Sequence, residues 1–375
     1  MSTVNGNPVL KRPLAALLLL FVANISFSAD NIKIAIAGPS TGPVAQYGEM
    51  QLTGVRMAID QINKTGGING KMLEGVTYDD ACDPKQAVAV ANRIVNDHIK
   101  FVVGHVCSSS TQPATDIYED ERILMVTGSA TNPQITGRGL KLIFRTIGLD
   151  NQQAPVAAGY IAKTLKPKAV AVLHDKQQYG EGLATEVKRE LEAEGVNVVL
   201  FEGINAGDKD YSSIISKLAR NNVDLVYYGG YHPELGLLLR QAAEKGLKSR
   251  FMGAEGAANI EVSAIAGPAT EGLLVTMPPA FDQELSNQVL MDAFKANNQD
   301  PSGAFVLTWY SAVKVIADAI KYAGSEDPLK VADALHSHSF ETPIGTIGFD
   351  DRGDLKNFRF VVYNWHPDGS RTLAK

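Results

Sequence analysis

KFVVGHVCSSST, residues 100 to 111, decides how the chain folds. Its first seven residues form a short apolar run, the composition of a strand buried on both faces. The chain then switches without a linker to Cys107 and four hydroxyl side chains, Ser108 to Thr111. Such residues are favoured where a helix begins, because a side-chain oxygen accepts from the unpaired N–H groups of the first turn. A buried strand that runs straight into a helix start is the repeating unit of an α/β fold.

The same unit recurs outward in both directions. Strand-like runs lie at 32–37, 100–106 and 123–130 in the first half, and at 169–175, 223–230 and 272–276 in the second. A helix separates the first two, with Leu52, Val55, Ala58, Ile59 and Ile62 on one face and Gly66-Gly67 at its end. Helical patterns also cover 183–195, 211–221 and 302–324. Strands that are apolar throughout, alternating with helices, predict parallel sheets covered on both faces. The pattern restarts near GLDNQQAP (148–155) and breaks again at TMPPAFDQ (276–283), and FRFVVYNWHPDG reads as a last strand and turn. The expected architecture is α/β: two doubly wound parallel-sheet lobes with more than one crossover between them. The 375-residue length fits two domains better than one.

Composition narrows the function. Charged residues make up 20% of the chain and the net charge is −6, without a basic patch, so nucleic acid is not an expected partner. Lys11 and Arg12 precede the apolar run LAALLLLFVA (14–23), and SFSA follows at 26–29, the order of a cleaved secretory signal peptide. Removing residues 1–29 takes the net charge from −6 to −8. An exported, soluble protein is expected. Two cysteines, Cys82 and Cys107, lie in the exported part; an even count there points to one disulfide, the alternative being two buried thiols. There is no Walker A sequence, no G-x-G-x-x-G and no metal-ligand spacing; His336 and His338 are the only close histidine pair. Neither a cofactor nor a metal is expected.

Each conspicuous polar motif follows a strand: GPSTGPVAQYG (38–48), CSSST (107–111), GSATN (128–132), HDKQQYGEG (174–182), GGYHPE (229–234) and GAEG (253–256). Ligands of open α/β sheets bind at the carboxyl ends of the strands, so two facing lobes would gather all six motifs at one cleft. Hydroxyls at helix starts suit a carboxylate. Glu255, between glycines, suits an ammonium, and Tyr47, Tyr179 and Tyr231 suit an apolar side chain. Together these describe an amino acid. Taken singly, Ser108 and Thr131 read as helix caps, Glu255 as a solvated acid, and Tyr179, Tyr231 and Phe305 as core aromatics; the shared placement of six loops favours a site.

YDDACDPKQAVAVAN, GHVCSSSTQPATDIYEDE, HDKQQYGEGLA, YYGGYHPE and AEGAAN resemble the periplasmic leucine/isoleucine/valine-binding proteins of ABC importers, over essentially all of 30–375. The resemblance implies the type I periplasmic-binding-protein fold, a hinged Venus flytrap joined by a multi-strand hinge. It implies lobe 1 at 30–149 plus 279–356 and lobe 2 at 150–278 plus 357–375. It assigns Ser108 and Thr131 to the ligand carboxylate, and Glu255 and the Ser129 carbonyl to the ammonium. It assigns Tyr47, Tyr179, Tyr231 and Phe305 to the side-chain pocket and closure, and matches Cys82 and Cys107 to the family disulfide. A hydroxyl at Ser129 departs from the Ala or Gly often found there. Leucine-restricted members tend to carry Trp where Tyr47 stands, so a pocket for Leu, Ile and Val is expected. The implied protein is a non-enzymatic monomer in the periplasm that delivers its ligand to a membrane permease.

Two other functions fit parts of the sequence. One is the same scaffold holding an amide, a urea or an aromatic acid. The other is a secreted hydrolase, because GPSTG (38–42) formally fits the G-x-S-x-G elbow with Ser40 as nucleophile. Pro43 and the delayed helix start argue against the elbow.

Overall fold

In a computed structural model, which describes residues 1–6 and 31–375, two mainly parallel sheets carry the chain. The apolar segment at 14–23 and the cleavage region after it lie outside the described residues. The first sheet holds β1 (Ile32–Gly38), β2 (Leu73–Asp79), β3 (Phe101–Gly104), β4 (Leu124–Thr127) and β5 (Ile143–Arg145). Their order is β2-β1-β3-β4-β5 and every pairing is parallel. The second sheet repeats that order with β6 (Val170–His174), β7 (Val198–Gly203), β8 (Leu225–Gly229), β9 (Arg250–Gly253) and β10 (Leu273–Met277), arranged β7-β6-β8-β9-β10. A hairpin of β11 (Phe340–Thr342) and β12 (Gly345–Ile347) stands apart. The antiparallel strands β13 (Val361–Trp365) and β14 (Arg371–Leu373) extend the second sheet beyond β10.

Helices α1 (Ala45–Lys64), α2 (Pro84–Asn96) and α3 (Ser108–Asp120) connect the strands of the first sheet. On the second, α4 (Asp150–Tyr160) precedes β6, and α5 (Gln178–Ala193), α6 (Ser212–Arg220), α7 (His232–Glu244) and α8 (Ile260–Ala266) follow. Then α9 (Gln288–Ala296), α10 (Val306–Ala323) and α11 (Pro328–Ser337) return to the first sheet, where α10 packs on α1. Those two helices cross closely because Gly54 has no side chain: a Cβ there would lie 2.1 Å from the Val306 carbonyl oxygen. Among the described residues the chain passes between the sheets after β5, after β10 and before β13.

The strand interiors explain this layering. Phe101, Val102, Val103, Leu124, Met125, Val126, Val170, Val172, Leu225 and Val226 are all buried, so neither face of their sheets meets water. In both sheets the chain order reverses beside the first strand, between β1 and β3 and between β6 and β8. Crevices open at such switch points, at the carboxyl ends of the strands.

Cys82 and Cys107 form the expected disulfide, with Cα atoms 5.6 Å apart. It joins the loop after β2 to the residue just before α3. Closing a 25-residue span is worth about 3 kcal/mol in the chain-entropy model. The paired substitution Cys82→Ser with Cys107→Ser is therefore expected to lower unfolding free energy by about that amount in urea melts; an unchanged midpoint would show that the bridge adds no stability.

Candidate ligand-binding cleft

A small cavity, about 270 Å³ of empty space including its mouth, lies where the two switch points face each other. It is lined by Tyr47, Val106, Ser108, Ser129, Tyr179, Tyr231, Glu255, Gly256 and Phe305. Seven of these are residues picked from the sequence. Thr131 is the exception: it is fully buried behind the wall, beside the Asp150 carboxyl, and its carbonyl accepts from the Asp150 N–H at 3.1 Å.

On the side of the first sheet, β3 leads through Val106 and Cys107 into α3, whose first residue is Ser108. The first N–H groups of a helix have no intrahelical acceptor, and they carry the positive end of the helix dipole. The Ser108 hydroxyl oxygen accepts weakly from the Asn132 N–H at 3.4 Å, which ties the two hydroxyl-bearing loops together. The Ser129 hydroxyl is already committed, donating to the Val106 carbonyl at 2.8 Å. The loop that carries it lies flat on α10, where a Cβ on Gly128 would come within 2.6 Å of the Trp309 ring. Tyr47 projects from the first turn of α1, and Phe305 lies just before α10.

On the other side, Tyr179 lies in the first turn of α5, Tyr231 precedes α7, and Glu255 and Gly256 follow β9. Four rings form a continuous wall across the cleft. Phe305 and Tyr47 are 5.7 Å apart, Tyr47 and Tyr231 6.1 Å, and Tyr231 and Tyr179 5.3 Å, all tilted or edge-on. Burial pushes the three phenols well above their usual 10, so they act as neutral donors and acceptors.

The acidic end is more elaborate than one glutamate. Glu255 is buried, and burial pushes its carboxyl up to about 7, against the pull of its bonds from Gln153 and Tyr179. Gln153 Nε2 donates to Glu255 Oε2 and, at 2.8 Å, to Thr276 Oγ1. Asp150 is also fully buried; burial and then the charge of Glu255 push it well above the carboxylate range. Neither oxygen of Asp150 has a hydrogen-bond partner of ordinary geometry among the described residues. Glu255 lines the cavity and Asp150 lies buried close enough to feel its charge, so this end of the cleft favours a cation. Asp150 and Gln153 were not picked out from the sequence.

Contacts between the lobes close over the cavity. Asn132 Nδ2 donates to the Gln178 carbonyl at 3.1 Å, Gln178 bonds to Gln112, and Tyr47 donates to the Gly256 carbonyl. Ser40 takes no part. It is exposed on the turn after β1, its N–H donates to Asp79 at 2.9 Å, and α1 begins only at Ala45. The strand–serine–helix elbow of a hydrolase is not formed there.

Known proteins share this layout. The family model described as periplasmic binding protein matches residues 31–369. The leucine-, isoleucine-, valine-, threonine- and alanine-binding protein of Pseudomonas aeruginosa is 65% identical over 370 residues, 99% of both chains. The Leu/Ile/Val-binding protein of Escherichia coli K12 is 53% identical over 365 residues, 97% of this chain and 99% of its own. A solved leucine-binding protein from Thermotoga maritima superposes with a TM-score of 0.85 at 28% identity, covering 92% of this chain and 98% of that one. On this evidence, and on the paired switch-point sheets, the chain belongs to the periplasmic binding protein family.

Proposed function

We propose that the protein is a periplasmic receptor that clamps leucine, isoleucine or valine between its lobes and delivers the ligand to an ABC importer. The observation that carries this reading is the polarity of the cavity. A helix start bearing the Ser108 hydroxyl lies at one side, the buried Glu255 carboxyl, with Asp150 buried near it, lies at the other, and an aromatic wall runs between them. Ser108 and the first N–H groups of α3 hold the carboxylate, with Thr131 supporting the loop. Glu255, Asp150 and the Ser129 carbonyl hold the ammonium. Tyr47, Tyr179, Tyr231 and Phe305 enclose the aliphatic side chain. Lobe 1 spans 30–149 plus 279–356 and lobe 2 spans 150–278 plus 357–375, with 1–29 as the export signal. Ligand settles first on lobe 1, and contacts available only after closure shift the hinge equilibrium. The closed monomer then docks on a membrane permease; the ATPase is a separate chain.

Isothermal titration with leucine, valine, alanine, phenylalanine and benzamide tests this. Leucine and valine are expected to bind with a negative heat-capacity change. Alanine should bind roughly 50-fold more weakly than leucine, because three fewer buried carbons forgo about 0.8 kcal/mol each. Benzamide binding more tightly than leucine would point to another ligand class.

A further inference from the structure

Tyr47 belongs to α1, yet its hydroxyl is held by residues of the opposite lobe. It donates to the Gly256 carbonyl at 2.5 Å and accepts from Asn259 Nδ2 at 2.7 Å. The second hydrogen of that amide goes to His232 Nδ1 at 2.8 Å, and His232 Nε2 meets Glu261 Oε2 at 2.7 Å. His232 is buried, with its ring edge-on to Tyr47 at 5.5 Å. The direction of this chain is fixed. Asn259 Oδ1 already accepts from the Glu261 N–H at 2.8 Å as the cap of α8, so the amide cannot turn over without setting N–H against N–H. His232 Nδ1 must therefore accept, and Nε2 must carry the proton.

We propose that Asn259 and His232 are positioning residues that lock Tyr47 across the cleft, and that the lock holds only while His232 is neutral with its proton on Nε2. The proposal rests on the cleft being the amino-acid site. A proton on Nδ1 would face the Asn259 donor, and the relay would break at the amide. Glu261 of α8 is the charged group in contact with the ring, and it favours the cation. Tyr47 of α1 is a neutral phenol. Glu234, on the histidine's own helix, is turned to the Gly207 N–H at 2.9 Å, and Glu255 is bonded to Gln153 on α4. Burial outweighs Glu261, so the closed state pulls His232 below its ordinary value. In the open state the ring regains water while Glu261, on the same lobe, stays beside it and favours the cation. A depressed value in the closed state means closure is favoured above the ordinary value and weakens as pH falls through it.

The test is leucine affinity at about pH 8 and about pH 5.5, where a group of ordinary pKa about 6.5 that must lose its proton to close gives a loss of up to about tenfold. His232→Asn keeps an acceptor near the Nδ1 position but does not titrate. The wild-type difference between the two dissociation constants should therefore be lost. Asn259→Asp keeps the α8 cap but turns the relay's donor into an acceptor, which favours protonated His232, so its response should reverse sign. In a Tyr47→Phe background, adding His232→Asn should leave the ratio unmoved. A wild-type ratio in His232→Asn, or an additive effect with Tyr47→Phe, overturns the relay. If the wild type binds no leucine, the ligand reading fails instead. The relay is then read by small-angle scattering of the ligand-free protein: the wild type must expand relative to His232→Asn as pH falls, and equal radii overturn it.

Discussion

Glu255→Gln is expected to weaken leucine binding roughly 30-fold or more while leaving the fold intact, because truncating one partner of a buried charge pair costs about 2–5 kcal/mol. The side chain is 1% exposed, and its bonding partners, Gln153 and Tyr179, are neutral. In the empty closed cleft its carboxyl rises to about 7 from an ordinary 4.5, with burial as the main cause. The sign follows. The closed empty state retains a proton that the open state releases, so empty closure is favoured as pH falls from about 7 towards 4.5 and opposed above that window. Asp150, pushed the same way, adds to the opposition. An ammonium against Glu255 offsets it. Closure at neutral pH is thereby made conditional on ligand, a differential interaction of the kind a population shift requires. Glutamine keeps the shape but not the charge. The variant should therefore lose affinity in titration calorimetry and yet close more readily when empty, seen as a smaller radius in small-angle scattering above pH 7. Unchanged affinity would place the ammonium on Asp150 alone.

How much of this was legible in the sequence depended on how each element meets water. β1, β3, β4, β6, β8 and β10 are apolar on both faces and stood out as runs. Edge strands did not: in LEGVTYD of β2 only Leu73 and Tyr78 are buried, and β7 is half-buried along its length. β5 is three residues long and leaves no periodic signal. Seven of eight residues proposed for ligand contact line the cavity: the rule that ties strand ends to crevices pointed to the loops, and the family resemblance to the individual residues, Ser129 and Phe305 among them. Asp150 and Gln153 escaped for a local reason. GLDNQQAP read only as the place where the strand-helix pattern restarts, whereas it opens α4, which aims its first turn at the cleft. Asn259 and His232 are single polar residues whose partners lie 212 and 29 positions away, Tyr47 and Glu261 respectively, and no spacing rule connects them.

Arg145→Met should be the most destabilising single change near the site, at about 3–5 kcal/mol, the usual consequence of removing one partner of a buried ion pair. Arg145 is fully buried at the end of β5. Its Nε lies 2.6 Å from Asp354 Oδ1, in the segment that leads back to the second sheet. Its two terminal nitrogens donate to the Ala130 carbonyl at 2.7 Å, the Asn132 carbonyl at 3.2 Å and Thr136 Oγ1 at 2.6 Å. One side chain thus ties the loop that bears Ser129 and Thr131 to a crossover between the lobes. Methionine would fill the space but leave Asp354 buried with only Thr136 as a partner and would free two loop carbonyls from their donor. Stability and binding should then separate. Adding Asp354→Leu removes the orphaned charge and should restore much of the unfolding free energy in urea melts, because apolar replacement of a buried pair is often neutral. It cannot restore the donors to Ala130 and Asn132, so leucine affinity should stay low in the double variant. Recovery of affinity together with stability would mean that the loop holds its shape without Arg145, and that this arginine serves the fold alone.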